Sequence, residues 1–140
     1  MRWVRQVALK IHTQHGIMHS MVERNEASWL GQLRRGVSDR CVLALLERQP
    51  WYGFELAKTL SEAQIIAGEG TIYPLLARLR RDGLVDTVWR ESSEGPPRRY
   101  YALTPTGTEA LAQFRRQWTE FTGAVTALLE IATVSEEGFE

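Results

Sequence analysis

Two changes of hydrophobic period constrain this chain more than anything else in its sequence. Ile72, Leu75, Leu76 and Leu79 recur at i, i+3, i+4 and i+7, the single buried stripe of an amphipathic helix. The spacing predicts a helix from about Thr71 that stops at Gly83, a residue suited to the left-handed C′ position. Pro74 is compatible with it, because a first-turn N–H has no intrahelical acceptor anyway. Past Gly83 the period falls to two. Leu84 to Glu91 alternates, Ser92-Ser93-Glu94-Gly95-Pro96-Pro97 makes a polar, breaker-rich tip, and Arg98 to Leu103 returns, which predicts a β hairpin. Thr104-Pro105 then opens a second helical stretch, with Thr as N-cap and Pro at the first helical position. That last helix reaches Leu129 or beyond.

Upstream, Ser38 or Asp39 is placed to cap a helix running to about Arg48, with Cys41, Val42, Leu45 and Leu46 on one face. Pro50 ends it by forcing Gln49 out of the helical region. A short helix from about Tyr52 to Leu60 carries Phe54, Leu56, Ala57 and Leu60, and a loop with Gly68 and Gly70 follows. Three helices, a hairpin and a long helix make a mainly α fold with a small β hairpin, of the α+β class. That order is the winged helix-turn-helix arrangement, here with a long C-terminal helix.

At 140 residues, 44% hydrophobic and 24% charged, the chain has the composition of one ordinary folded domain. Its longest apolar run, Val42 to Leu46, is far too short to cross a bilayer. Arg2, Arg5, Lys10 and His12 interrupt the N-terminal apolar residues, so no secretory signal is read and a cytoplasmic location is expected. Cys41 is the single cysteine, and its place in an apolar stripe suits a small core residue rather than a redox sensor. Seventeen basic side chains balance seventeen acidic ones, which at face value argues against a nucleic-acid partner. Resolved by position the balance is uneven. The last twelve residues hold Glu130, Glu136, Glu137 and Glu140 and no base, so the acidic tail masks a mildly basic body.

That basic character gathers on one surface. At about 100° per residue, the face of the third helix opposite its apolar stripe is Gly70, Pro74, Ala77 and Arg81, with Tyr73 and Arg80 on one flank and Arg78 on the other. Small residues along the middle let such a helix seat in a DNA major groove, while flanking cations and hydroxyls reach phosphates and Arg81 reaches a base edge. Free N–H groups at the helix N-terminus suit a phosphate. On the hairpin, Arg98 and Arg99 follow the tip, and alternation sends Arg99 with Tyr101 and Leu103 to one face and leaves Arg98 to solvent. The bland alternative for any single arginine is a solvated surface.

Tyr52-Gly53-Phe54-Glu55-Leu56, the stretch Gly70-Thr71-Ile72-Tyr73-Pro74-Leu75-Leu76-Ala77-Arg78-Leu79-Arg80-Arg81-Asp82-Gly83-Leu84-Val85, and GPPRRYYALTPTG at residues 95–107 together resemble the PadR family of transcriptional regulators. The likeness spans roughly residues 29–129. It implies a homodimeric bacterial repressor on a palindromic operator in double-stranded DNA, near its own or a neighbouring promoter. It also implies Thr71, Tyr73, Pro74 and Arg78 at the major groove and Arg98 on the adjacent backbone. The short C-terminal part is similar to the compact subfamily with one terminal helix. The division then expected is an N-terminal extension (1–28), a winged helix-turn-helix DNA-binding domain (29–104), a dimerisation helix (105–132) and an acidic tail (133–140).

Independently of that likeness, Leu111, Phe114, Trp118, Phe121, Val125 and Leu128 follow the 3,4 spacing of a coiled-coil seam. A helix of about 25 residues is ~37 Å long, too long to bury the whole stripe on so small a domain, so self-association is expected. The resemblance adds a second role for Trp118. In family members that sense flat aromatic drugs, a matching tryptophan lines a cavity between subunits, here with Phe114 or Phe121 as companions for a planar aromatic effector. The competing role is a bulky residue of the dimer core.

His12, His15 and His19 share one face if residues 1–20 are helical, but no cysteine or nearby acid completes a metal set, and no metal or other cofactor is expected. Trp3, Val7 and Ile11 make the opposite face of a basic amphipathic segment, suited to DNA phosphate or a membrane surface, and Met21 is an alternative start of the chain. No membrane partner is expected. There is no Ser/His/Asp set, no Walker loop and no catalytic residue to name. The runner-up to a DNA-binding regulator is a winged helix used as a protein-interaction or dimerisation module.

Overall fold

The computed structural model describes the backbone of residues 23–137 and the side chains of residues 29–133. His12, His15, His19, Trp3, Val7 and Ile11 lie outside the described residues. The elements run α1 (Glu23–Leu45), β1 (Trp51–Tyr52), α2 (Gly53–Glu62), a 3-10 turn (Glu69–Thr71), α3 (Ile72–Arg81), β2 (Val85–Ser92), β3 (Gly95–Leu103) and α4 (Pro105–Glu137). Three helices packed on a small antiparallel sheet, with the hairpin as wing, form a winged helix-turn-helix of the α+β class.

Ser38 and Asp39 do not cap α1 but lie inside it, and the helix crosses position 28/29 without a break. A cap needs the preceding backbone to leave the helix, and here tertiary contacts keep it in register. Ser38 is buried, and the Arg34 Nε donates to the Gln64 carbonyl at 2.8 Å, tying the upstream half of α1 to the loop after α2. Gln64 itself sits at φ 60°, the left-handed position that closes α2, with the Ile65 N–H reaching back to the Leu60 carbonyl at 2.9 Å.

The strand β1 replaces the start of the helix expected from Tyr52. Trp51 pairs with Tyr101 and Tyr52 with Tyr100, giving a three-stranded sheet in the order β1-β3-β2. Two residues are too few to show a period, so only the pairing reveals the strand. Gly53 follows because an added Cβ would press on the Tyr101 ring at 3.2 Å.

The expected stripe of α3 is buried in full: Ile72, Leu75, Leu76 and Leu79 pack with Val42, Leu43 and Leu46 of α1, Leu56 and Leu60 of α2, Trp51, Val85 and Tyr101 of the sheet, and Leu111 of α4. Gly83 adopts φ 75°, and the bonds Gly83 N–H to Arg80 C=O and Leu84 N–H to Leu79 C=O, both 3.0 Å, close α3 as a Schellman motif. The chain then turns directly into the wing.

Thr104 joins the parts. Its backbone N–H donates to the Leu84 carbonyl at 3.1 Å. Its hydroxyl donates to the Gly83 carbonyl at 2.7 Å and accepts the Gly107 N–H at 3.0 Å, the N-cap bond of α4. Gly107 is buried here, and a Cβ on it would overlap the Leu84 carbonyl oxygen and crowd Leu103. Further along α4, Arg115 grips Glu47 with two hydrogen bonds of 2.6 and 2.7 Å, pinning the helix to the segment after α1. The helix then leaves the body and runs to Glu137, past residue 132. Leu111, expected as the first residue of the seam, is 2% exposed and belongs to the core of the domain instead, because α4 is still packed on the domain at that turn. Among the described residues, no helix is long and apolar enough to cross a membrane.

Gly107→Ala should lower stability by about 2–4 kcal/mol, since the obstacle is a backbone carbonyl that cannot rotate away. Denaturant unfolding checks this against Gly123→Ala, where an added Cβ meets nothing within 4 Å and helix propensity favours alanine by about 1 kcal/mol. Glu47 gives a pH test. The Arg115 hydrogen bonds hold its carboxyl below the usual carboxylate range, so its contribution is complete above the unfolded value and is lost as pH falls through the folded one. Both side chains are well exposed, so Glu47→Gln should cost roughly 0.2–1 kcal/mol at neutral pH. Melts in acid should show that difference disappearing.

Candidate nucleic-acid interface

With its stripe sealed in the core, α3 turns the remainder of its surface outward. Gly70, Thr71, Tyr73, Pro74, Ala77, Arg78 and Arg81 are all exposed, as is Arg80, and Tyr73 keeps 54% of its surface in solvent. The small side chains of Pro74 and Ala77 run along the middle of this face, and the cations and the Tyr73 hydroxyl flank them. The same α3 geometry thus brings together every residue of this helix that the sequence points to.

Two features differ from expectation. The N-terminus of α3 is not an open set of donors, because the preceding 3-10 turn occupies the Thr71 N–H with the Gly68 carbonyl at 3.1 Å and the Ile72 N–H with the Glu69 carbonyl. Arg78 is not a lone surface cation either. Its Nη2 lies 3.9 Å from Oδ2 of Asp39, which also pairs with Arg40 at 3.2 Å. Asp39 lies on α1, far from Arg78 in sequence, and no local pattern links the two.

In the wing, Val85 pairs with Leu103, Thr87 with Tyr101 and Trp89 with Arg99 on the core-facing side, while Val88 pairs with Tyr100 and Arg90 with Arg98 on the outer side. Arg98 is exposed, as alternation predicts, and stands 5.0 Å over the Tyr52 ring. Arg99 is half-buried, lying 6.0 Å from the Trp89 ring and 5.9 Å from that of Tyr101, with its Nε enclosed and without a hydrogen-bond partner. Packing, rather than free display, describes its guanidinium. Arg90, 5.1 Å over the Tyr100 ring, was not singled out in the sequence. Alternation alone could have placed it beside Arg98 only if the register across the tip were known, and a register shift between Arg90 and Ser92 hides that.

Along α4 the remaining stripe residues stay accessible. Trp118 is 45% and Phe121 65% exposed, and Val125 and Leu128 are exposed as well. Phe114 is half-buried, its ring 5.7 Å from that of Trp118. Leu129 and Ile131 widen the apolar surface beyond the expected stripe. Cys41 is a packed thiol, its pKa pushed up by burial and then by the Asp39 charge, which disfavours the reactive thiolate. Among the described residues, no three histidine, cysteine or acidic side chains cluster as a metal site.

Comparison with known proteins places this geometry among regulators of transcription. The sequence model of the transcriptional regulator PadR-like family matches residues 42–113. The crystal structure of a PadR-like transcriptional regulator from Bacillus cereus is 35% identical, aligning 70% of this chain with 96% of that one at a TM-score of 0.65. A PadR family transcriptional regulator from Eggerthella lenta is also 35% identical, over 77% of this chain and 95% of its own, at 0.66. A transcriptional regulator of Mycobacterium tuberculosis is 40% identical over 65 residues, 46% of this chain and 60% of that one.

Proposed function

Because the chain belongs to the PadR-like transcriptional regulator family, we propose that it acts as a homodimeric repressor on a palindromic operator and is released by a small-molecule effector. Family membership makes it a transcriptional regulator and implies DNA binding. The finer statements rest on its own side chains.

The observation that carries the proposal is the exposed outer face of α3. Pro74 and Ala77 let the helix approach the floor of a major groove, Arg81 reaches a base edge, and Thr71 and Tyr73 offer hydroxyls to phosphates. Arg78 exchanges the Asp39 carboxylate, 3.9 Å away, for a phosphate oxygen. Arg98 rides on the neighbouring backbone, with Arg99 behind it as a buttress more than a contact.

The apolar surface of α4 supports the dimer. Phe121, Val125 and Leu128 stand exposed on one stripe, which pairing with a second copy removes from water. Symmetry then sets two α3 helices roughly 34–36 Å apart, one turn of DNA, and matches them to a palindrome. Phe114 and Trp118, adjacent at the root of that stripe, are the site proposed for a planar aromatic effector, whose rings stack on the broad indole face. Such an effector releases DNA only if it favours a dimer geometry with the wrong α3 spacing.

A band-shift titration with DNA from upstream of the chain's own coding sequence tests the first part. Wild-type protein should bind with a steep salt dependence, and Arg78→Ala and Tyr73→Ala should weaken binding, Arg78→Ala also lowering the salt slope by about 1. Unchanged affinity and slope in both variants would remove α3 from the interface. For the α4 surface, Phe121→Glu should convert a sedimenting dimer to monomer. Quenching of tryptophan fluorescence by planar aromatics should vanish in Trp118→Ala, and quenching that persists there refutes the effector site.

A further inference from the structure

The wing holds as many acids as bases: Asp86, Glu91 and Glu94 against Arg90, Arg98 and Arg99. Six charges on one short hairpin would be expected to pair and cancel. Among the described residues, however, no carboxylate comes within 4.0 Å of any of these three guanidinium groups. Each meets a ring instead. Arg98 lies 5.0 Å over Tyr52, Arg90 5.1 Å over Tyr100, and Arg99 between Tyr101 and Trp89.

On the outer side of the sheet, where Arg90 and Arg98 are cross-strand partners, these contacts join into one cluster. The Tyr52 and Tyr100 rings are 5.9 Å apart, so Arg98, Tyr52, Tyr100 and Arg90 stand as cation, ring, ring, cation. Tyr52 is anchored from outside the hairpin, because it pairs with Tyr100 through β1 and opens α2. A ring attracts a cation without neutralising it, and leaves the edge N–H groups of the guanidinium free for bidentate hydrogen bonds to a phosphate.

The geometry points to Tyr52 and Tyr100 as positioning residues that hold Arg98 and Arg90 off the wing's own carboxylates, so that the outer face of the sheet presents two uncancelled charges to the DNA backbone. The inference rests on the DNA-binding reading above and extends the contact surface to Arg90. It also accounts for how a hairpin with no net charge engages a polyanion: its acids make no ion pair with its bases, Asp86 accepting the Thr87 N–H instead, while its bases are ordered in advance of contact.

Salt-dependent titrations of operator DNA test it, using full-length protein and Tyr52→Leu, Tyr52→Phe, Arg98→Ala, Arg90→Ala and Tyr52→Leu combined with Arg98→Ala. Arg98→Ala and Arg90→Ala should each lower the salt slope by about 1. Tyr52→Leu should weaken binding about two- to fivefold and lower the slope similarly, with no further loss in the Arg98→Ala background. Tyr52→Phe, which keeps the ring, should behave as wild type, and thermal melts of all variants separate lost contacts from lost folding. A wild-type slope in Tyr52→Leu or in Arg90→Ala, or a Tyr52→Leu loss that adds in full to that of Arg98→Ala, overturns the proposal. Wild-type binding that does not depend on salt overturns the DNA-binding reading itself. A face that docks an acidic protein instead would show as variants with undisturbed DNA titrations.

Discussion

The hydroxyl of Thr104 ties the end of α3 to the start of α4 at the root of the wing. It donates to the carbonyl of Gly83, where α3 has just ended, and accepts the N–H of Gly107, where α4 is beginning. The Thr104 backbone N–H binds the Leu84 carbonyl at the root of the wing. Three elements therefore meet at one side chain. The approach is so close that Gly107 has no room for a Cβ, and Gly83 must take a left-handed turn that few other residues adopt without strain. These bonds join α3, the wing and the first turn of α4 at one point of the fold.

Electrostatics in this chain is a matter of partners rather than totals. Arg115 is spent on Glu47 as a structural clamp. Arg78 shares Asp39 with Arg40, at 3.9 and 3.2 Å respectively. The wing arginines lean on tyrosines and tryptophan, which order them at no cost in charge. A sum of seventeen against seventeen contains none of this. Salt bridges between exposed groups contribute little to stability, so the arrangement has its main effect on which cations remain available.

Much of the fold was legible because its signals are local. The α3 stripe spans about two turns of helix, the Gly83 stop and the Thr104-Pro105 start are shorter still, and each lies where the periods put it. Expectation and structure part where a local option loses to a distant contact. Ser38 and Asp39 are good caps in isolation, yet the Arg34 bond to Gln64 and the burial of Ser38 carry α1 straight through them. A two-residue strand such as β1 has no period to detect. Leu111 fits a heptad with Phe114 and Trp118, but heptad spacing does not say which neighbour covers each residue, and here the domain covers Leu111 first.

The candidate site divides in the same way. Which residues of α3 face outward is a property of the sequence alone, because helical geometry and one apolar stripe leave a single opposite face. The arrangement of the wing is not. Whether Arg99 is displayed or wedged between rings, whether Arg90 stands beside Arg98, and whether Arg78 has Asp39 for company depend on strand register and on helices brought together from separate parts of the chain. The amino-acid sequence by itself determined the winged-helix order and the surface of the α3 helix, through short-range periodicity. Only the tertiary structure decided which charges are held, shared or free, since that is settled by the long-range packing that brings each guanidinium to its ring or carboxylate.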